Sequence, residues 1–261
     1  MRLLVSVSSA AEALAAIEGG ADIIDAKNPR AGALGPVTLG ELAAIRGVVG
    51  PAYVLTAALG DATAPGIGDR ASGYGTAAAE IESLAHAYAA AGAALVKIGC
   101  ADDAGWARAA LAAAVRGAAE AGAGVIAVAY ADAGRAAAVT FETVIDVACA
   151  AGARGVLVDT ANKSGPGLTS LVRPERLAAW VMRARQAGLL AAVAGRLSSA
   201  DMPAAAASGA DVVGVRGAAC EEGRLGRVTA QRVAALAVLV ARVSARRGLI
   251  AGTPTVFQRS Q

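Results

Sequence analysis

Only three of the 24 basic side chains are lysines, and each lies at or just beyond the end of a short apolar run. Lys27 closes IIDAK, two residues after Asp25. Lys97 closes ALVK. Lys163 lies four residues beyond Asp159, which closes GVLVD. All other basic side chains are arginines. Arginine stays protonated at any working pH and is no nucleophile. A lysine amine that is out of water or beside other cations loses its proton more easily and can attack a carbonyl carbon to form a Schiff base. A neighbouring carboxylate can shuttle protons or hold an ammonium as an ion pair. Asp25 and Lys27 are two apart, so on a strand they share a face. A lone lysine at a strand end is ordinarily a solvated cap, and lysine beside aspartate is also a plain ion pair. Three lysines and two aspartates at the same end of different strands favour chemistry.

The elements that must position them follow from a repeated local grammar. A helix-like Ala/Leu run ends in Gly-Ala, and a short β-branched run follows, as in EGGADIIDAK, AAGAALVKIG, AAGARGVLVDT and ASGADVVGVRG. Glycine after a helix supplies the left-handed cap. The apolar runs lack alternation, as in strands covered on both faces. Strands are predicted at Leu3–Ser6, Asp22–Lys27, Tyr53–Ala58, Ala94–Gly99, Gly124–Ala129, Gly155–Asp159, Leu190–Ala194 and Asp211–Val215. Helices are predicted near Ala10–Glu18, Thr38–Arg46, Thr76–Ala91, Gly105–Ala121, Phe141–Ala151, Pro174–Ala187, Ala200–Ser208 and Thr229–Arg246.

Eight β/α units in 261 residues predict an α/β fold, a single (β/α)8 TIM barrel over residues 1–250, with 251–261 a loosely ordered tail. A doubly wound open sheet is the alternative. In the barrel the C-terminal strand ends converge on one face, which holds the active site. Asp25, Lys27, Lys97, Asp159 and Lys163 then meet there. The loops AGRLSSADM and GVRGAAC follow strands seven and eight, where this fold often binds phosphate through backbone N–H groups and a helix N-terminus. Gly195, Arg196, Ser198, Arg216 and Gly217 are the expected phosphate-binding residues. The Gly-rich stretch 61–75 reads as a lid over the site.

Other classes recede. Net charge is a mild +3 with scattered arginines, and aromatics are 3%, so the basic patch with stacking aromatics of a nucleic-acid binder is missing. No stretch has the length and apolarity of a membrane span, and the first apolar run is too short for a signal peptide, so a soluble cytoplasmic protein is expected. The three cysteines are far apart without CxxC, which reads as free thiols. HExxH, GxSxG and a Walker loop are absent, and neither a metal nor a cofactor is expected. Cys220 is not assigned as a nucleophile. His86, four residues after Glu82, reads as half of a surface pair. A homo-oligomer acting on a small phosphorylated substrate is expected.

The segments LLVSV, GGADIIDAKNPRAGALG, VKIG, AYAD, VDTANKSG, AVAGRL and DVVGVRGAAC, collinear over Met1 to Arg246, resemble the (5-formylfuran-3-yl)methyl phosphate synthases of methanofuran biosynthesis. Of these, DAKNP with its following glycines and GVRGAAC are specific, whereas the rest is general to such barrels. The resemblance implies a lyase that condenses two glyceraldehyde 3-phosphate molecules into a phosphorylated furan aldehyde, losing one phosphate and two waters. It makes Lys27 the Schiff-base lysine, with Asp25, Lys97, Asp159 and Lys163 around it. Ala26 and Arg30 depart from the family's Val and Lys without touching that set. A class I aldolase or other phosphosugar lyase remains a competing reading, as does a barrel that only binds phosphosugars.

Overall fold

Short polar side chains cap three of the described helices and glycine ends several of them. Ser9 accepts from the Glu12 amide, Thr38 and Glu41 form a reciprocal capping box, and Asp103 accepts from the amides of Gly105 and Trp106. Gly152 and Gly209 close helices in the left-handed conformation. The computed structural model describes residues 1–62, 77–101, 103–133 and 139–251, with side chains through 245.

Within these residues the order is β1 (Arg2–Val7), α1 (Ala10–Glu18), β2 (Ile23–Ala26), α2 (Leu39–Val49), β3 (Val54–Asp61), α3 (Ala78–Ala90), β4 (Leu95–Gly99) and α4 (Ala104–Glu120). The second half runs β5 (Gly124–Tyr130), α5 (Val144–Ala151), β6 (Gly155–Asp159), α6 (Leu168–Leu171), α7 (Pro174–Gln186), β7 (Leu190–Val193), α8 (Met202–Ser208), β8 (Val212–Val215) and α9 (Ala230–Ala251). Single 3-10 turns, Ser199–Asp201 and Gly217–Ala219, follow β7 and β8.

All eight strands are parallel, and β8 pairs with β1, which closes the barrel and removes the open-sheet alternative. Outward-facing residues such as Val5, Ile24, Leu55, Val96, Val125 and Val156 are buried beneath the helices. Alanine and glycine let the layers approach closely. Gly117 of α4 lies so near α3 that a Cβ there would fall 2.0 Å from the Glu82 carbonyl oxygen.

The inward faces position the site. Leu4, Ile23, Leu95, Ile126, Leu157 and Leu190 form an apolar floor inside the barrel. Two residues further along the same strands stand Ser6, Asp25, Lys97 and Asp159, so four of these six strands change from apolar to polar within one inward step.

Differences from the sequence reading have local causes. β3 continues to Asp61, three residues past the expected end, across a register break between Ala58 and Asp61. The one-turn helix α6 was not anticipated, and four residues carry little periodicity. α9 runs to Ala251, beyond the expected end at Arg246 and across the expected tail boundary. The expected lid lies outside the described residues apart from Asp61 and Ala62, as does the tail beyond Ala251. Among the described residues no helix is long and apolar enough to cross a membrane.

Candidate active site

Asp25, on the inward face of β2, is fully enclosed. Its Oδ1 accepts from Lys97 Nζ at 2.5 Å and from Thr56 Oγ1 at 2.7 Å, and its Oδ2 from Ser6 Oγ at 2.7 Å. The carboxylate therefore reaches over β3 to a lysine on β4. Burial alone would raise its pKa. The Lys97 and Lys27 charges, with bonds from Lys97 and Thr56, outweigh that and hold it below the usual carboxylate value.

A second pair stands at the end of β6. Lys163 Nζ lies 2.7 Å from Asp159 Oδ1, which also accepts from the Thr160 amide at 2.7 Å. Burial again opposes ionisation, and Lys163 and Lys27 again prevail, so Asp159 titrates below its ordinary value. The loop carrying Lys163 is pinned from both sides. Asp132 accepts from the amides of Ala161 and Asn162 at 2.7 and 2.8 Å, and Arg196 donates to the Lys163 carbonyl at 2.6 Å.

Lys27 differs from both. It is buried, yet among the described residues its amine has neither a hydrogen bond nor a carboxylate within 4.0 Å. Burial is the main force lowering its pKa, to about 8. Lys97 and Lys163 push the same way, while Asp159 and Asp25 oppose them. Parity places Asp25 and Lys27 on one face, but the direct partner of Asp25 is Lys97.

The five residues line one cavity of about 490 Å³. The loops after β7 and β8 form its other wall. Gly195 (φ +109°) and Arg196 (φ +54°) both take positive φ, rare for a non-glycine residue such as Arg196. A Cβ on Gly195 would meet Thr160 Cγ2 at 3.0 Å. The amides of Gly195, Arg196, Gly217 and Ala218 make no hydrogen bond to another described residue. Such groups form an anion-binding concavity.

The remaining two residues expected to bind phosphate are engaged elsewhere. Ser198 donates through its amide (2.7 Å) and its hydroxyl (2.6 Å) to Asp201 Oδ2, which leaves it no donor. Arg216 uses every N–H it has. Its Nε donates to the Arg224 carbonyl, its NH1 to the Ser6 carbonyl and Glu12 Oε2, and its NH2 to Glu12 Oε1 and the Gly226 carbonyl. Arg216 thus ties the barrel's first and last loops together instead of offering a free guanidinium. Glu12, its partner, was missed by sequence reasoning. The local signal that could have found it is a serine–glutamate spacing at a helix start, and Glu12 Oε2 accepts from the Ser8 amide at 2.7 Å.

Sequence reasoning also missed Arg224, which lines the cavity and donates to the carbonyls of Pro29 and Gly32 in the loop after β2. Tyr130 donates to Asp61 where the inward face of β4 ends in Gly99, and burial raises the Asp61 pKa. His86 pairs with Glu120 at 3.3 Å rather than with Glu82, which binds Arg116 from α4. Burial pushes the Cys100 thiol up to about 12 and raises that of Cys220. Among the described residues no group of three or more His, Cys, Asp or Glu side chains could hold a metal ion.

Residues 3–237 match the family described as 4-HFC-P synthase. The chain belongs to that family. A relative from Methanopyrus kandleri is 36% identical over 223 residues, covering 85% of this chain and 90% of its own. One from Archaeoglobus fulgidus is 33% identical over 244 residues, covering 90% and 97%. Both are named (5-formylfuran-3-yl)methyl phosphate synthase. Among solved structures, a 3-hexulose-6-phosphate synthase superposes with a TM-score of 0.61 at 23% identity, covering 93% of this chain and 99% of its own. KGPDC from Streptococcus mutans gives 0.61 at 17% identity, covering 93% and 98%. These two likenesses speak to the barrel fold. Family membership makes this 4-HFC-P synthase relative an enzyme, and its five acid–base side chains share one cavity.

Proposed function

We propose that this enzyme condenses two molecules of glyceraldehyde 3-phosphate into (5-formylfuran-3-yl)methyl phosphate, through a Schiff base at Lys27, as a cytoplasmic step of methanofuran biosynthesis. One phosphate and two waters leave. The observation that carries the mechanism is the asymmetry of the three lysines. Lys97 and Lys163 are each neutralised by a carboxylate, whereas Lys27 has no such contact and a pKa lowered to about 8. A substantial neutral fraction near physiological pH makes Lys27 the nucleophile.

Its Nζ attacks the triose carbonyl carbon, and the carbonyl oxygen leaves as water. The resulting iminium acidifies the adjacent C–H, which a carboxylate then deprotonates to give the enamine. Asp159 is the stronger of the two carboxylate charges acting on Lys27, and it serves as that proton shuttle. The enamine carbon adds to the second aldehyde, and a hydroxyl of the second triose then closes the ring on the regenerated iminium carbon and expels the Lys27 amine. Asp25 and Lys97 supply the acid–base pair for the later eliminations. The amides of Gly195, Arg196 and Gly217 hold a phosphate away from the reacting carbons.

Borohydride reduction in the presence of glyceraldehyde 3-phosphate tests this by intact-protein mass. A substrate adduct is expected on the wild type and is lost in Lys27→Ala. An adduct that survives moves the nucleophile to Lys97 or Lys163, and no adduct on the wild type rejects covalent catalysis. Release of inorganic phosphate from this substrate alone separates the synthase from a simple aldolase, which releases none.

A further inference from the structure

Six cationic side chains line the cavity: Lys27, Lys97, Lys163, Arg196, Arg216 and Arg224. Three are bound to carboxylates, Lys97 by Asp25, Lys163 by Asp159 and Arg216 by Glu12. Lys27 is taken by the carbonyl chemistry. Arg196 is exposed and stands beside the unengaged amides of the β7 and β8 loops. Arg224 then lacks a role.

Its setting suggests one. Arg224 is half-buried on the stretch between the Gly217–Ala219 turn and α9. Its two terminal nitrogens donate to the carbonyls of Pro29 and Gly32. These acceptors are neutral, so they orient the guanidinium without cancelling its charge. Among the described residues no carboxylate lies within 4.0 Å of it, and three of its five N–H groups have no partner. Burial and the adjacent Arg216 cation both disfavour its charge, and Asp159 offsets this only in part. A planar fork anchored through both terminal nitrogens, with free donors and an uncancelled charge at a cavity wall, suits a bidentate oxyanion.

We propose that Arg224 is the recognition residue of a second phosphate subsite, between the β8 loop and the loop after β2, that takes the phosphate of the second triose. The inference rests on the two-triose reading above. That reading needs two phosphate positions, and the amides of the β7 and β8 loops provide one. Because Pro29 and Gly32 lie two and five residues after Lys27 in the chain, an occupied subsite places its triose beside the Lys27 enamine.

Calorimetric titration of inorganic phosphate into the full chain tests the subsite without substrate. The wild type is expected to bind two phosphates and Arg224→Met one. Arg224→Lys is expected to keep both, with the weaker dissociation constant raised about tenfold. One phosphate on the wild type, two on Arg224→Met, or unchanged affinities in Arg224→Lys would overturn the proposal. The lysine variant decides if the methionine variant does not fold. Borohydride trapping separates this from the parent reading. Arg224→Met is expected to form the Lys27 adduct normally while furan formation needs at least about tenfold more substrate. If Arg224 were only a strap between loops, trapping by phosphate-free glyceraldehyde would fall together with trapping by the phosphorylated triose, which rejects the proposal. A wild type with no adduct that still binds two phosphates rejects the Lys27 chemistry and leaves the subsite standing.

Discussion

The two sides of the barrel mouth are built from different materials. On the side of β1 to β4 and β6, the inward positions carry Ser6, Asp25, Thr56, Lys97 and Asp159, with Lys27 just beyond β2; Ser6, Thr56 and Lys97 bind Asp25, and Lys163 binds Asp159. On the side of β7 and β8, the inward positions are Ala192, Ala194 and Gly214, and the unengaged donors beyond them include the backbone amides of Gly195, Arg196, Gly217 and Ala218. Side-chain acids and amines change charge with pH and with each proton they pass on. Backbone amides do not titrate, so they hold an anion equally well at every step of a multistep reaction. Under the proposed mechanism this division keeps phosphate anchoring independent of proton traffic. Arg216, at the end of β8, is withdrawn from ligand binding by its bonds to Glu12 and three carbonyls.

The largest break in this contrast is expected from Asp25→Asn. It removes the countercharge from a buried Lys97, which destabilises the fold by about 3–5 kcal/mol. Urea denaturation measures this, and a loss under about 1 kcal/mol would mean that the pair is effectively solvated. A smaller effect comes from the amide side, through two glycines of the same cradle. Gly195→Ala places a methyl 3.0 Å from Thr160 at φ +109° and is expected to raise KM for the triose phosphate about tenfold. Gly217→Ala meets nothing nearer than 3.7 Å and leaves KM within about twofold. Steady-state kinetics showing the reverse order would displace the cradle from Gly195.

The smallest effect is a gain in stability. Lys27 has a native pKa of about 8 against an ordinary 10.5, so between these values the folded chain binds fewer protons than the unfolded one. Its contribution to stability therefore rises with pH across that window and is least favourable below about pH 8. Lys27→Met is expected to be inactive yet more stable than the wild type by about 1 kcal/mol near neutral pH. That advantage shrinks as pH climbs above 8 toward 10.5, and thermal melts across this range measure it. An advantage independent of pH would mean that Lys27 does not titrate in that window. Activity itself is expected to rise with pH toward a plateau above about 8 as the amine deprotonates.

Much of this was legible before the structure. The barrel was written in its repeated Gly-Ala-strand units, and Lys27, Lys97 and Asp159 announced themselves as charges closing apolar runs. Pairing was not legible. Asp25 and Lys27 share a face, yet Asp25 binds Lys97 because barrel curvature and strand stagger bring β2 within reach of β4 over the small side chain of Thr56. Which lysine stays unpaired is decided by distances that no local pattern encodes. Arg216 looked like a phosphate ligand because its carboxylate partner, Glu12, and the Ser6 carbonyl lie far away in the chain. Ser198 looked available because the Asp201 contact depends on a 3-10 turn. Arg224 carried no signal at all, since a loop arginine among many arginines has no periodicity to mark it.

Closure of the ring by Arg216 also bears on the life of the protein before it is finished. The bonds from Arg216 to Ser6 and Glu12 span 210 and 204 positions, and β8 must find β1 before they form. Lys27 leaves the ribosome early, while the lysines and walls that lower its pKa come from β4 and β6, and the phosphate cradle comes last. A nascent chain or fragment therefore displays an ordinary, protonated lysine. Contacts this distant in sequence form late and together. Under the proposed Lys27 chemistry the amine becomes reactive only when the barrel shuts, so an unfinished chain would not capture sugar phosphates.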